Sequence, residues 1–252
     1  MGLDIICKIK PFFLHLKGLC VFVCYFLISC NTATHPRAAD LEEVSLEYVS
    51  FENLFFGELD TPLEDIKAQF PFFFPDKTLD SLWLEKRIDS LQQQLFNATK
   101  AISKSSLQSR VVRVFQYANY YFPEEKLPQT VISLLTDVDY SLRAVDAETM
   151  LLLSIDTYLG VDHPLYEGIP TYIKNNLTLK HLESEIIDAL APRFIPAPSG
   201  RTFLDQMVHN GKRLLLHDYL APKLEPHQHI QYTETQWEWA ITHQAEVWRY
   251  FI

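Results

Sequence analysis

Apolar and polar positions along the chain change period several times, and each change marks an element. Val44, Leu46 and Tyr48 alternate with polar residues ahead of Phe51, the period expected of a first strand. Residues 53–76 show no period and read as irregular, aromatic-packed structure, with Phe70, Phe72, Phe73 and Phe74 expected in the core rather than on a docking patch. From residue 79 to 118 apolar side chains recur every three or four positions, first at Leu84, Ile88, Leu91, Leu95, Ala98 and Ile102, then at Val111, Val114, Phe115 and Ala118. This predicts two amphipathic helices, with Glu85, Lys86, Arg87 and Lys100 on their solvated faces. Pro123 and Pro128 bracket a break. Residues 130–136 and 150–155, rich in Leu, Ile and Val, are expected as strands of one small sheet, with a short strand at 141–145 and turn material at Asp146-Ala147-Glu148 between them.

Helical spacing returns at Leu182, Ile186, Ala189, Leu190 and Phe194, where Pro192 ends or bends the helix. Thr202 with Asp205 forms a capping-box pattern for a helix to about Leu220, and Thr233 with Gln236 repeats it ahead of Trp237, Ile241, Gln244, Trp248 and Phe251. The expected fold class is α+β: a mostly helical single domain, residues 41–252, with a small sheet from the segments near Val44, Val131 and Leu152. The pattern stops at Ile252 without a terminating glycine, so the natural C-terminus is expected to lie further on.

The first thirty residues follow another rule. Lys8, Lys10 and Lys17 precede an uninterrupted apolar run from Leu19 to Ile28, too short to span a bilayer, which needs about 20 residues. Residues 1–29 read as a secretory signal peptide. Leu27-Ile28-Ser29-Cys30 resembles the bacterial lipobox, so Cys30 is expected to be acylated and to become the first mature residue, with the polar stretch to residue 40 as tether. Membrane lipid is then a partner, since each buried CH₂ of an acyl chain contributes about 0.8 kcal/mol. Asn31 after Cys30 does not resemble an inner-membrane retention signal, and the outer membrane is favoured. All four cysteines, Cys7, Cys20, Cys24 and Cys30, lie in this region, which leaves the domain no disulfide. Loss of three Lys and one Asp with the leader moves the formal charge from −10 to −12. No basic stripe interrupts that acidity, so nucleic acid is excluded as a partner.

Nine histidines invite a search for metal or hydrolase chemistry. There is no His-Glu-x-x-His, no Gly-x-Ser-x-Gly and no phosphate-binding glycine loop. His181 with Glu185, and His243 with Glu246, have ligand-like spacing but lack a third ligand, and solvated pairs are expected. His227 and His229 could pinch a metal from a loop, although adventitious binding or none is the better expectation. The candidate functional turn holds Asp156, Tyr158, Gly160, Asp162, His163 and Tyr166. Its two carboxylates could form an acid and base pair or a cation site, but an Asp at a turn more often caps backbone. No complete catalytic set and no cofactor site emerge, so the expectation is a protein that is not an enzyme.

Four blocks carry a resemblance: residues 156–166 with Pro170-Thr171-Tyr172, residues 202–212, residues 232–237, and Glu246-Val247-Trp248. In order and spacing they resemble the gliding motility lipoprotein GldB family of Bacteroidota. The resemblance implies a cell-envelope lipoprotein supporting gliding and its associated protein secretion machinery, with envelope motility and secretion proteins as partners and no assigned catalytic residues. More distantly, the order of elements is similar to zincin-like metallopeptidase domains, which implies a degenerate zincin-like fold: His181-Leu182-Glu183-Ser184-Glu185 and Asn210-Gly211 stand where those domains hold their metal ligands. A membrane-tethered metal-dependent hydrolase around Asp156, Asp162 and His163 is the alternative. A glycan- or peptide-binding lipoprotein using the aromatic residues 158–172 is a third reading.

Overall fold

Gln129 decides where the sheet can start. Strand β1 (Glu47–Ser50) lies parallel to β2 (Thr130–Leu134) with Glu47 opposite Thr130. Extending that ladder back towards Val44 would need Gln129 N–H, which instead donates to Thr149 O at 3.1 Å. The strand expected at Val44 therefore begins at Glu47, while Val44 and Leu46 still pack against the core. In this computed structural model the described residues are 35–251; the expected signal peptide, Cys30 and the first part of the tether lie outside them.

β3 (Ala144–Ala147) pairs antiparallel with β4 (Met150–Ser154), which runs parallel to β2, giving the sheet order β1-β2-β4-β3. The turn expected at Asp146-Ala147-Glu148 moves to Glu148-Thr149, because Glu148 is the residue that takes positive φ (60°) and Thr149 N–H bonds back to Ala147 O at 2.8 Å. Val131 and Ile132 point to opposite faces of β2 yet both are buried, so structure covers the sheet on both sides.

Between β1 and β2 run α1 (Leu63–Gln69), α2 (Asp80–Ile88), α3 (Ser90–Thr99) and α4 (Lys104–Tyr121). The sequence predicts two helices over residues 79–118 and the structure has three. Asp89 causes the difference: its backbone is extended (φ −60°, ψ 136°) and its carboxylate accepts from Leu91 N–H and Gln92 N–H, both at 2.9 Å, restarting the helix as an N-cap. The break also inverts the expected face. Leu84, Ile88 and Leu91 are exposed, whereas Arg87, expected in solvent, is 4% exposed and donates to Phe55 O, Glu58 O and Thr61 O at 2.7–3.0 Å. The guanidinium thereby ties the Phe55 carbonyl, inside the π-helical turn Asn53–Gly57, to the carbonyls of Glu58 and Thr61 just beyond it. Around it Phe51, Phe55, Phe56, Phe74 and Trp83 pack mostly edge to face at 4.8–6.2 Å. Of the expected core phenylalanines, Phe74 is buried, Phe70 and Phe73 are half-buried and packed on the core, and Phe72 is 51% exposed.

After β4 come α5 (Leu182–Phe194), α6 (Phe203–Leu220), α7 (Glu234–Thr242) and α8 (Gln244–Phe251). Both expected capping boxes form, Thr202 with Asp205 and Thr233 with Gln236. Pro192 does not stop α5, which runs two residues further. The single helix expected from Thr233 onward is broken at His243, whose ring stacks on Trp239 at 4.6 Å, and Ile241 and Trp248 of its expected face are about half exposed. α4, α5 and α6 pack on one another and α5 lies against β3. Arg110 clamps Glu183 with both contacts at 2.7–2.9 Å, and Arg193 grips Asp146 of β3 at 2.5–2.6 Å. Residues 39–252 form one unit, a mostly helical α+β domain with a small mixed sheet. Among the described residues no helix is long and apolar enough to cross a membrane.

Candidate functional site

The chain leaves β4 into a short 3-10 turn, Ile155–Thr157, that drives Asp156 inward. Its carboxylate is fully buried and accepts Thr136 N–H at 3.1–3.2 Å and Val138 N–H at 2.8 Å. Asp137 and Val138 both have φ of +59°, a conformation that costs a β-branched valine more than most residues. Asp156 thus holds a strained loop from within, while Asp137 holds it from outside by accepting Lys86 Nζ at 3.0 Å and Gln92 Nε2 at 2.8 Å. Burial pushes the Asp156 carboxyl up from its ordinary range, against the downward pull of those two backbone donors.

Tyr166 closes the turn. Fully buried, it donates its hydroxyl to Asp156 O at 2.7 Å and accepts Leu159 N–H at 2.9 Å, so both lone ends of the loop are satisfied by one phenol. Gly160 has φ of +111° and donates N–H to Leu177 O at 3.1 Å beside the Leu159 to Thr178 bridge. His163 accepts Leu165 N–H at 3.3 Å through Nδ1, with its ring edge-on to Tyr166. Asp162 is exposed. The two carboxylates weighed as a pair therefore play opposite parts: Asp156 is buried and committed to backbone, and Asp162 faces solvent. Asp156 caps backbone of another segment, at Thr136 and Val138.

Behind Tyr158 lies a buried ionic network that the sequence reading missed. Glu185 of α5 pairs with Arg143, which also donates to Asn176 O at 3.0 Å and Gln231 Oε1 at 2.8 Å. One turn on, Asp188 accepts Arg213 at 2.6 Å and contacts His217 Nε2 at 3.1 Å. The His217 ring lies 5.7 Å from that of His229, and His229 Nδ1 meets Asp218 at 3.0 Å. Burial raises the Glu185 carboxyl while Arg143 in contact lowers it; Asp188, despite burial, is held below the usual range by His217 and Arg213. His181, at the head of α5, is lowered to about 4, first by burial and then by the Arg143 charge. Tyr158 is likewise pushed far up by burial.

His181 and Glu185 are thus not the solvated pair expected: each is more than four-fifths buried, one at the N-cap of α5 and the other inside its first turns. His229 turns inward rather than out of its loop, whereas His243 is half-buried against Trp239. Among the described residues no three His, Cys, Asp or Glu side chains are grouped as a metal site. Arg143 Nε, Thr178 Oγ1, His181 Nδ1 and His217 Nδ1 have no hydrogen-bond partner in the protein. The readable signal was Glu185 and Asp188 inside the apolar series Leu182, Ile186 and Leu190, with His217 between Leu216 and Leu220. Ionisable residues on a core-facing stripe need partners, and Arg143, in a stretch read as a short connecting strand at 141–145, gave no hint of being one.

Comparison with curated proteins and with solved structures gives no match. The sequence model of the family described as gliding motility protein GldB matches residues 31–252, nearly all of the chain. This chain belongs to the gliding motility protein GldB family.

Proposed function

We propose that this protein is a cell-envelope lipoprotein, held at the outer membrane by acyl chains on Cys30, whose acidic domain supports assembly or stability of the gliding motility and associated secretion machinery without catalysing a reaction. The observation that carries the reading is the family match itself, which begins at residue 31, directly after the lipobox cysteine. The candidate side chains agree with it: Asp156 is occupied by backbone donors, and Glu185 and Asp188 by arginines, so their charge is spent on holding segments together.

The test is a pull-down from detergent-solubilised envelope with the tagged protein, comparing wild type with Cys30→Ala. Motility or secretion proteins are expected with wild type and not with the variant, which should also leave the membrane fraction. Wild type that recovers none of them, or a variant that recovers them equally, overturns the tethered-assembly reading.

A further inference from the structure

The α6 helix presents apolar side chains on two opposite faces, and the domain covers one of them. Leu216, His217 and Leu220 are buried. Across the helix Leu204, Met207, Val208, Leu214 and Leu215 are between 43% and 68% exposed. An ordinary solvent face carries charged and polar residues, so an apolar stripe along a helix of 18 residues marks a surface made to be covered. Leu204, Val208, Gly211 and Leu215 follow one another at spacings of four, three and four, the seam of a helix that packs along another helix. Gly211 strengthens that reading. A glycine inside a helix weakens it, and among the described residues nothing beyond the helix's own backbone lies within 4 Å of where its Cβ would sit. Packing within the domain does not call for a glycine there, whereas a second helix crossing at that point comes closer because of it.

The edges of the seam decide what that second helix is. Met207 and Leu214 flank it on one side, and Asp205 and Lys212 on the other. When two α6 helices meet antiparallel about a two-fold axis, Leu204 lies on the partner's Leu215 and Val208 over the partner's Gly211, and each edge meets its own copy. Asp205 then stands beside the partner's Lys212 at both ends of the contact, and Met207 beside the partner's Leu214. A parallel pair would set the charged edge against the apolar one. The Asp205 carboxylate keeps an oxygen for this contact, since its bonds to Thr202 both run through Oδ2, and Lys212 is exposed. We propose that α6 pairs antiparallel with α6 of a second copy of this chain, forming a two-fold dimer through Leu204, Val208, Gly211 and Leu215. A lipid surface fits the stripe less well: helices that lie in one carry Lys and Arg along their polar face, and here Asp205 and Asp218 border it.

The test is sedimentation of the detergent-solubilised full chain, with the detergent density-matched so that the chains in each particle are counted. Wild type is expected to hold two chains per particle. Leu215→Glu, which sets a carboxylate against the partner's Leu204, is expected to hold one. Lys212→Glu places like charge beside the partner's Asp205 and should weaken the dimer at least about tenfold. Leu215 and Lys212 are both exposed, so each variant keeps the fold, with circular dichroism as the check. Wild type with one chain per particle, whether alone, on vesicles or with another envelope protein, overturns the proposal. So does a folded Leu215→Glu that stays paired, or a folded Lys212→Glu that dimerises as tightly as wild type.

Discussion

Glu185→Ala is expected to lower the free energy of unfolding by about 3–5 kcal/mol, a large fraction of what holds a domain folded. The substitution removes the carboxylate that neutralises Arg143, whose side chain is only 11% exposed, and leaves a guanidinium charge inside the domain. The carbonyl of Asn176 and the amide of Gln231 still hold Arg143 in place, so it cannot swing out to water without breaking them. Arg143→Met combined with Glu185→Leu removes both charges at similar volume and should cost far less than the single change, because no uncompensated ion remains. Denaturant unfolding of Arg143→Met, Glu185→Leu and the double variant measures this coupling. Equal, additive losses would show that the pair does not work as a unit.

Acid should destabilise the domain through His181. Its pKa is about 4 in the folded protein against an ordinary value of 6.5. Between those values the unfolded chain binds the extra proton, so stability is fully present above pH 6.5 and is lost as pH falls through 4. At 1.36 kcal/mol per unit the loss is about 3 kcal/mol. Arg143, Lys180 and His227 are the positive groups that oppose charging of the ring, and the backbone at Asn175 favours it. Glu52, Asp156 and Glu185, all raised by burial, have the opposite sign: they are stabilising when protonated and lose that contribution as pH rises through their folded values. The His181 part is isolated by subtracting the His181→Asn unfolding curve from wild type at each pH. The difference should shift against wild type by about 3 kcal/mol from pH 7 to pH 4. A flat difference would mean that His181 is free to protonate in the folded state.

Elements whose boundaries are set locally were legible in the sequence. Thr202 and Thr233 cap helices with partners three residues on, and the apolar run after Met150 becomes β4 where it was read. Elements set by distant partners were not. Asp89 looks like one more polar residue within a helical period, and its capping role shows only once Arg87 is anchored to carbonyls some thirty residues earlier. The turn from Asp156 to Tyr166 was singled out for its special residues, and those residues do carry special bonds. Their targets, Thr136, Val138 and Leu159, are backbone groups, to which sequence patterning assigns no chemistry. The network of Arg143, Glu185, Asp188 and His217 was hidden for the same reason: its members come from a connection and two helices that only the tertiary fold brings together.

In the proposed function the buried charges serve the fold, and the domain acts in the envelope as a tethered, non-catalytic part of the motility machinery. Gliding by cells whose only copy carries Arg143→Met with Glu185→Leu tests it most directly, with envelope abundance measured in parallel. Gliding at the wild-type rate with normal abundance is the predicted result. A double variant present at normal abundance, folded and unable to support gliding would show that the pair takes part in chemistry and would contradict the claim.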